Sequence, residues 1–415
     1  MAKRKQHPIR VGVVGVGRGS GFARSAHLVG MELVALCDVW EEKLQPLAAE
    51  LGVAAYTDYD KFLEHEMDAV ILANYFHQHA PFAVKALEAG LHVMSETAAC
   101  HTLAEGVALA RAVEKTGKIY KFAENYPYSA YNQEMRRLFR KGLIGDFKYG
   151  EGEYIHPDDA VTRLRRSVGF DHWRNWMPAT YYCTHSLAPV MFITDTRPVK
   201  VNGFVIPHDF NDPTAAMSCK RQDTASCIIC RMDNDAVVKL LQVGLRGHQN
   251  YVRLHGNLGL MENQRTGDKE MLRIRREPCD KKRNEVVEKI YSPEFPVEAQ
   301  QAQRSGHGGG DFFMNYHFAE AIRSGRPPYL DVYKGIEMSL VGILAYRSAL
   351  NDSAPLEVPD FRKESVRKKH QNDDWSPDPT RRKKGQPWPS ILGNIKPSEE
   401  AKAFARKVWK EQGYA

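Results

Sequence analysis

The chain has 415 residues, 43% of them hydrophobic and 26% charged, with a formal net charge of +7. That length is enough for two domains with full cores, and the composition is ordinary for a globular protein. No apolar run approaches the ~20 residues that cross a bilayer, so no membrane span is expected, and seven scattered cysteines, an odd number, speak for a reduced cytoplasmic protein rather than a disulfide framework.

Residues 1–5 are basic, but the apolar run behind them is broken by glycines and reads as a strand, so no cleaved signal peptide is expected. Ile9 to Val14 leads into Gly15-Val16-Gly17-Arg18-Gly19-Ser20-Gly21. A helix-compatible segment follows, and a second apolar strand, Leu33 to Cys37, ends in Asp38. A dinucleotide needs this order. Glycines let the backbone approach a pyrophosphate, and the helix N-terminus offers N–H groups and a positive dipole end. The acid after the second strand accepts hydrogen bonds from the adenosine ribose. Gly15, Gly17, Arg18, Gly19, Ser20 and Asp38 are therefore the expected cofactor loop. Asp38 repels a 2′-phosphate and favours NAD over NADP, although Arg18 and Arg24 leave the second option open.

Strand and helix then alternate. Helices are expected from Glu41 to Leu51, from Tyr59 to Glu66, from Pro81 to Ala89 with Gly90 as its C-cap, and from Thr102, the N-cap, to about Gly117. Strands are expected at Ala54–Tyr56, Asp68–Ala73, His92–Ser95 and Ile119–Ala123. Such βα repeats predict a doubly wound parallel (Rossmann) sheet over residues 1–125. Ligands sit at the carboxyl ends of its strands, where Asn74, Tyr75, His77, Glu96, Glu124 and Asn125 fall. Glu96 is expected on the nicotinamide ribose, and Asn74, His77 and Asn125 beside the cofactor. Glu124 reads either as a ligand group or as charge compensation at a helix N-terminus.

From Phe147 the pattern changes. Lys148–Ile155, Val199–Ile206, Ala225–Met232 and Ala236–Leu245 read as strands without helices between most of them, which predicts an α+β second domain, residues 126–355, on an open, mainly antiparallel sheet. Its open face is a candidate for pairing with a sister subunit. Helices Phe312–Ser324, capped by Asp311, and Ile336–Leu350 are expected to pack back on the first domain. Cys227 and Cys230 have metal-like spacing but lie in an apolar strand without a second pair; they read as core, and no metal site is expected. Residues 356–415 form a basic arm without the interleaved aromatics of a nucleic-acid patch, and Trp375 and Trp388, flanked by prolines, read as its docking points. Arg163, Arg165 and Arg166 read either as a solvated loop or as a clamp for a sulfonated, phosphorylated or uronic substrate.

His185, after Tyr182 and Thr184, is the best candidate base for a hydroxyl proton; the alternative is a hydrogen-bonded core histidine. Trp173 and Trp176 flank Arg174 and suit either sugar stacking or core packing.

A dinucleotide half followed by an open antiparallel sheet resembles the glucose–fructose oxidoreductase/inositol dehydrogenase (Gfo/Idh/MocA) family over residues 8 to 355. Ala123-Glu124-Asn125-Tyr126, Gly152-Glu153-Tyr154-Ile155-His156, His172-Trp173-Arg174, Tyr182-Cys183-Thr184-His185 and the glycine-rich segment from Gly306 to Tyr316 resemble its NAD-dependent glycoside hydrolases, the α-N-acetylgalactosaminidase-like branch. The family's dehydrogenases carry Glu-Lys-Pro where this chain has Glu96-Thr97-Ala98, and an aspartate where it has Tyr181; the glycosidase-like branch also lacks the lysine. The resemblance implies Tyr154 and His185 as acid/base groups, Glu124, Arg174 and Tyr182 as sugar-binding groups, and His307 near the substrate. Tyr154 would need a neighbouring cation to act as a base, and Arg174 is the candidate. The implied reaction is redox-neutral hydrolysis: oxidation of ring carbon 3, loss of the proton on carbon 2 with elimination of the glycosidic oxygen, addition of water, and reduction. The alternatives are a net sugar or glycoside dehydrogenase that releases NADH, and a non-enzymatic NAD(H)-binding regulator.

Overall fold

The apolar runs of the first third form one sheet. In the computed structural model, which describes residues 7–281, 283 and 286–414, the strands are β1 (Ile9–Val14), β2 (Met31–Cys37), β3 (Ala54–Tyr56), β4 (Ala69–Leu72), β5 (His92–Ser95) and β6 (Tyr120–Phe122). The basic residues at the start of the chain lie outside the described residues. All six strands are parallel, in the order β3-β2-β1-β4-β5-β6. The order reverses between β1 and β4, the switch point at which such sheets bind ligands. Val11, Val13, Val70, Ile71, Val93 and Met94 have no exposed surface. Helices cover both faces of a parallel sheet, so its strands are apolar on both sides rather than alternating. The expected caps are present: the Thr102 side chain accepts from Glu105 N–H at the start of helix Leu103–Thr116, and Gly117, at φ 63°, ends it.

The second sheet has nine strands: β7 (Phe147–Ile155), β8 (Pro198–Ile206), β9 (Ala225–Met232), β10 (Val237–Val243), β11 (Gln249–Gly256), β12 (Leu260–Asn263), β13 (Leu272–Arg275), β14 (Glu288–Tyr291) and β15 (Leu356–Glu357). Their order is β14-β13-β12-β11-β7-β10-β9-β8-β15. The sheet is mixed: β7 and β10 run parallel, and every other pair is antiparallel. One face is apolar, through Val201, Ile228, Cys230, Val238, Leu240, Val252, Leu254 and Met261. The other carries rows of ion pairs: Arg265 with Glu151 and Glu153, Lys239 with Glu151, and Arg253 and Arg273 with Glu262. Cys227 and Cys230 are three apart on β9, so their side chains leave opposite faces and cannot share one ion.

Contacts divide the chain into two units. The first comprises Met1–Ala130, Glu294–Ile336 and Asp360–Asn372; the second comprises Tyr131–Pro293, Glu337–Pro359 and Asp373–Ala415. This departs from the sequence boundaries in two ways. Of the two helices expected to return to the first domain, Gly310–Ser324 does so, with Asn315 donating to Phe22 O (3.1 Å) and Arg323 to Val29 O (2.6 Å). Helix Val332–Ala349 leaves the first unit at Ile336, and its remainder belongs to the second, where Ser348 Oγ accepts from Gly203 N–H of β8 (3.0 Å).

The second departure is the basic arm, which is a set of docked segments. Arg367 pairs with Glu114 and Glu364 at 2.8 Å in the first unit. In the second, Trp375 packs on Tyr346, and the Tyr346 hydroxyl donates to Trp388 O (2.6 Å). The final helix, Glu399–Lys410, lays Ala405, Val408 and Trp409 against Leu164 and Cys219, with Trp409 Nε1 donating to Leu164 O (3.0 Å). Its positive charges sit on the outer face while an apolar stripe enters a core, a pattern that net charge conceals. Trp409→Ala is expected to cost about 3–5 kcal/mol, read as a lowered midpoint in urea unfolding.

One charge lies deep in the first unit. Lys121 of β6 has no exposed surface and donates to the Tyr128 hydroxyl (3.0 Å). Burial pushes its ammonium from the ordinary 10.5 down to about 7, against the opposing pull of Glu124. Between those two values the unfolded chain binds a proton that the folded chain has released, so stability rises with pH from about 7 to 10.5. Lys121→Met is therefore expected to stabilise the protein at pH 7 by on the order of a few kcal/mol, and the gain should shrink steadily in denaturant melts taken towards pH 10.

Candidate functional site

The cofactor loop lies where β1 meets the helix Gly19–Ser25. Gly15 has φ 90°, and a Cβ there would stand 2.5 Å from the carbonyl oxygen of Ala73, so the turn tolerates no side chain. Beside it, at the end of β4, Asn74 Oδ1 is buried without a hydrogen-bond partner among the described residues. Gly17 and Gly21 open on free space, and Gly19 begins the helix. Ser20 donates its hydroxyl to Gly17 O (2.9 Å). Asp38 braces this loop, accepting from Val16 N–H (2.8 Å) and Trp40 N–H (2.9 Å). A carboxylate has about four acceptor positions, so two remain for a ribose diol.

The two arginines that left a 2′-phosphate open are both committed. Arg24 pairs with Glu50, and Arg18 pairs with Glu96 (2.7 Å) and, through two nitrogens, with Asp311 (2.7 Å). Burial opposes the Arg18 charge, but Glu96 and Asp311 outweigh it and hold the guanidinium firmly protonated; in turn, Arg18 and His307 hold Asp311 well below the usual carboxylate range despite its own burial. Asp311 was expected to cap its helix. The cap is Gly309, and Asp311 sits in the first turn with its carboxylate between Arg18 and His307 Nδ1 (3.0 Å). The loop thus suits an unphosphorylated adenosine ribose.

The other expected residues of the first unit stand nearby in the fold. His77 packs edge-on to Phe76 and His101. Glu96 also accepts from Thr97 N–H (3.1 Å). Glu124 is fully buried and accepts from Tyr126 N–H (3.3 Å), and the Asn125 carbonyl accepts from Tyr128 N–H (3.0 Å).

In the second unit, Tyr154 and His185 meet. The reason is Gly152, in the centre of the sheet between Leu240 and Val252: a Cβ there would stand 2.0 Å from the Ser186 carbonyl oxygen. The missing side chain lets helix Cys183–Thr194 lie directly on β7. Two residues on, and on the same face, Tyr154 reaches His185, with ring centroids 4.5 Å apart. A buried chain fixes the helix further: Ser226 donates to Gln242 Oε1 (2.7 Å), Gln242 Nε2 to Ser186 Oγ (2.9 Å), and Ser186 to Cys183 O (3.2 Å).

Tyr182 stacks on Tyr154 at 5.8 Å and lies 6.0 Å from His185. The Arg174 guanidinium covers Trp173 at 4.2 Å and donates to the Tyr182 hydroxyl (2.7 Å). The cation expected beside Tyr154 is thus bonded to Tyr182, one ring away. Trp176 is core, 1% exposed. His156 packs between Tyr154 and His248, and burial lowers its pKa against the pull of Asp158.

Sequence reasoning missed Lys121, His156, His248 and the Ser226–Gln242–Ser186 chain. Of these, only His156 carried a signal, its even spacing from Gly152 and Tyr154. Gly15→Val is expected to weaken NADH binding at least tenfold, followed by NADH fluorescence, because the added side chain collides with the Ala73 carbonyl and displaces the turn.

Comparison with known proteins agrees with this layout. Residues 9–124 match the model of the oxidoreductase family with an NAD-binding Rossmann fold (Gfo/Idh/MocA), and residues 196–368 match the C-terminal domain of glycosyl hydrolase 109. A glycosyl hydrolase family 109 protein of Shewanella pealeana is 26% identical over 402 residues, 86% of each chain. Another, from Akkermansia muciniphila, is 28% identical over 401 residues, 85% of this chain and 83% of that one. In fold, the chain is similar to a levoglucosan dehydrogenase solved with NADH and L-sorbose (TM-score 0.72, 17% identity, 86% of this chain and 100% of that one). It is also similar to an aldose–aldose oxidoreductase of Caulobacter crescentus (TM-score 0.66, 18% identity, 84% and 99%). This chain is an NAD-dependent enzyme in which a domain matching the Gfo/Idh/MocA oxidoreductase Rossmann model is followed in sequence by one matching the C-terminal domain of glycosyl hydrolase 109.

Proposed function

We propose that the protein acts on a sugar or glycoside and that its net reaction is hydrolysis, with oxidation at one ring carbon reversed at the end of the cycle. The observation that carries this reading is the Tyr154–His185 contact, in a chain whose residues 196–368 match the C-terminal domain of glycosyl hydrolase 109. When bound, NAD supplies reversible two-electron oxidation of a ring carbinol. His185 takes the proton of that hydroxyl and returns it. Tyr154 exchanges the proton on the neighbouring carbon, whose loss expels the glycosidic oxygen. Arg174 orients the Tyr182 hydroxyl toward the sugar. A Tyr–His pair meets these demands without the two carboxylates of ordinary glycosidases.

Two further proposals complete the picture. The outer face of the second sheet, with exposed Phe204 beside its ion-pair rows, supports association with a second copy of the chain, which sedimentation at micromolar concentration reads directly. The seven free cysteines support a reducing compartment, and we place the protein in the cytoplasm; among the described residues no helix is long and apolar enough to cross a membrane.

The activity is tested with a panel of nitrophenyl α- and β-glycosides. Nitrophenol is expected without added NAD⁺, with solvent deuterium appearing at one ring carbon of the product. Accumulation of NADH or a keto-sugar would instead identify a net dehydrogenase. His185→Ala and Tyr154→Phe should each lower turnover roughly 100-fold or more while NADH fluorescence titrations stay unchanged; full turnover in both variants overturns the assignment.

A further inference from the structure

Loops that follow three strands of the first sheet meet around Asp311. Arg18 follows β1, Glu96 follows β5 and Asn125 follows β6. Arg18 uses all three of its side-chain nitrogens here: Nε donates to Glu96 Oε1, and Nη1 and Nη2 donate to the two Asp311 oxygens, each at 2.7 Å. The guanidinium also lies over the Phe22 ring, 4.6 Å from its centroid. In the sheet β4 stands between β1 and β5. Strands two apart are separated by about 10 Å, so the Arg18 side chain reaches past the end of β4 to make this bridge.

The glycine-rich segment folds around the same carboxylate. His307 Nδ1 lies 3.0 Å from both Asp311 oxygens, and a Cβ on Gly306 would stand 2.6 Å from Asp311 Oδ2. Gly310 is seated on the loop after β6: a Cβ there would stand 2.7 Å from the Asn125 carbonyl oxygen. Residues 306–308 are exposed while Gly309 and Gly310 are buried, so the segment has an outer and an inner side. Glu96 and Asp311 are largely buried, but the Arg18 side chain keeps 32% of its surface. Water competes for a pair of this kind, so it adds little net stability, while its fork still fixes position. Such a bridge can hold a segment in place and open on the timescale of turnover.

A dinucleotide whose adenosine ribose meets Asp38, after β2, extends past β1 and β4 towards β5 to place its nicotinamide. The Arg18–Asp311 bridge stands on that line. We propose that residues 306–311 are a strap across the coenzyme crevice, that Asp311 is the positioning residue latching it to Arg18, and that this latch sets how fast NAD enters and leaves. This goes beyond the functional reading above and does not rest on it. Breaking the latch speeds exchange in both directions and leaves affinity nearly unchanged, because one barrier is crossed either way. A residue that only supported the fold of the binding loop would raise the release rate alone.

Stopped-flow fluorescence reads both rates. NADH is mixed with the protein to follow entry, and bound NADH is chased with excess NAD⁺ to follow release. Asp311→Asn keeps the shape and removes the charge; both rates should rise about tenfold or more, with the dissociation constant shifted less than about threefold. Raising NaCl from 50 to 500 mM should speed exchange in the unsubstituted protein and not in Asp311→Asn. Gly310→Ala leaves the ion-pairing groups in place and lifts the strap off Asn125, so it should speed both rates as well; it decides the matter where Asp311→Asn fails to fold. Unchanged rates, or faster release with unchanged entry, overturn the proposal. No sugar is present in these measurements. A latch that fails them leaves the catalytic assignment standing, and a protein with the expected exchange rates that turns over no glycoside loses that assignment alone.

Discussion

The contact of β7 with the Ser186 carbonyl at Gly152 is the constraint on which the second unit depends. A mid-sheet glycine is costly in entropy and contributes no packing. Here it lets a helix backbone lie on the strand itself, and only then do Tyr154 and His185 share a ring contact. Around that point every buried polar group of the Ser226–Gln242–Ser186 chain has a partner, so helix and sheet are locked by directional bonds as well as by apolar area. The outward side of the same strand uses Glu151 and Glu153 for ion pairs with Lys239 and Arg265, so alternate residues of β7 serve unrelated ends.

The first unit solves a different problem, holding a loop of glycines still. Asp38 ties the loop to the end of β2 through Val16, and Arg18 ties the start of the following helix to Glu96 and Asp311. These half-buried ion pairs join residues far apart in sequence, which is where a charge pair contributes positioning rather than much stability. The same interactions use up the cations that a 2′-phosphate would need.

The late basic segments show how charge can mislead. Counted as a string, they read as a basic arm held only at Trp375 and Trp388. In the structure Arg367 is buried against two glutamates, and the last helix packs Trp409 on Leu164, the neighbour of Arg163. The segment farthest along the chain thereby supports the helix whose Arg163 donates to the Arg174 carbonyl.

Much of this was legible in the residues alone. The six parallel strands, the glycine turn, Asp38, the Thr102 and Gly117 caps and four adjacent strands of the second sheet all follow from local rules, namely apolar periodicity, capping chemistry and the conformational freedom of glycine. His185 was a candidate base from its own neighbourhood, Tyr154 came from motif resemblance, and the fold brings the two together. What local rules could not reach were relations between distant residues. Nothing near Asp311 says that its carboxylate faces Arg18 rather than its own helix, and nothing near Lys121 says that β6 is buried on both sides. Three successive arginine-rich positions look alike on paper, yet helical geometry sends Arg163 inward and leaves Arg165 and Arg166 outside. Sequence determines which groups are available and what each stretch of backbone prefers; tertiary packing alone decides which charges meet a partner, because that depends on strands and helices dozens or hundreds of residues apart arriving at the same few ångströms.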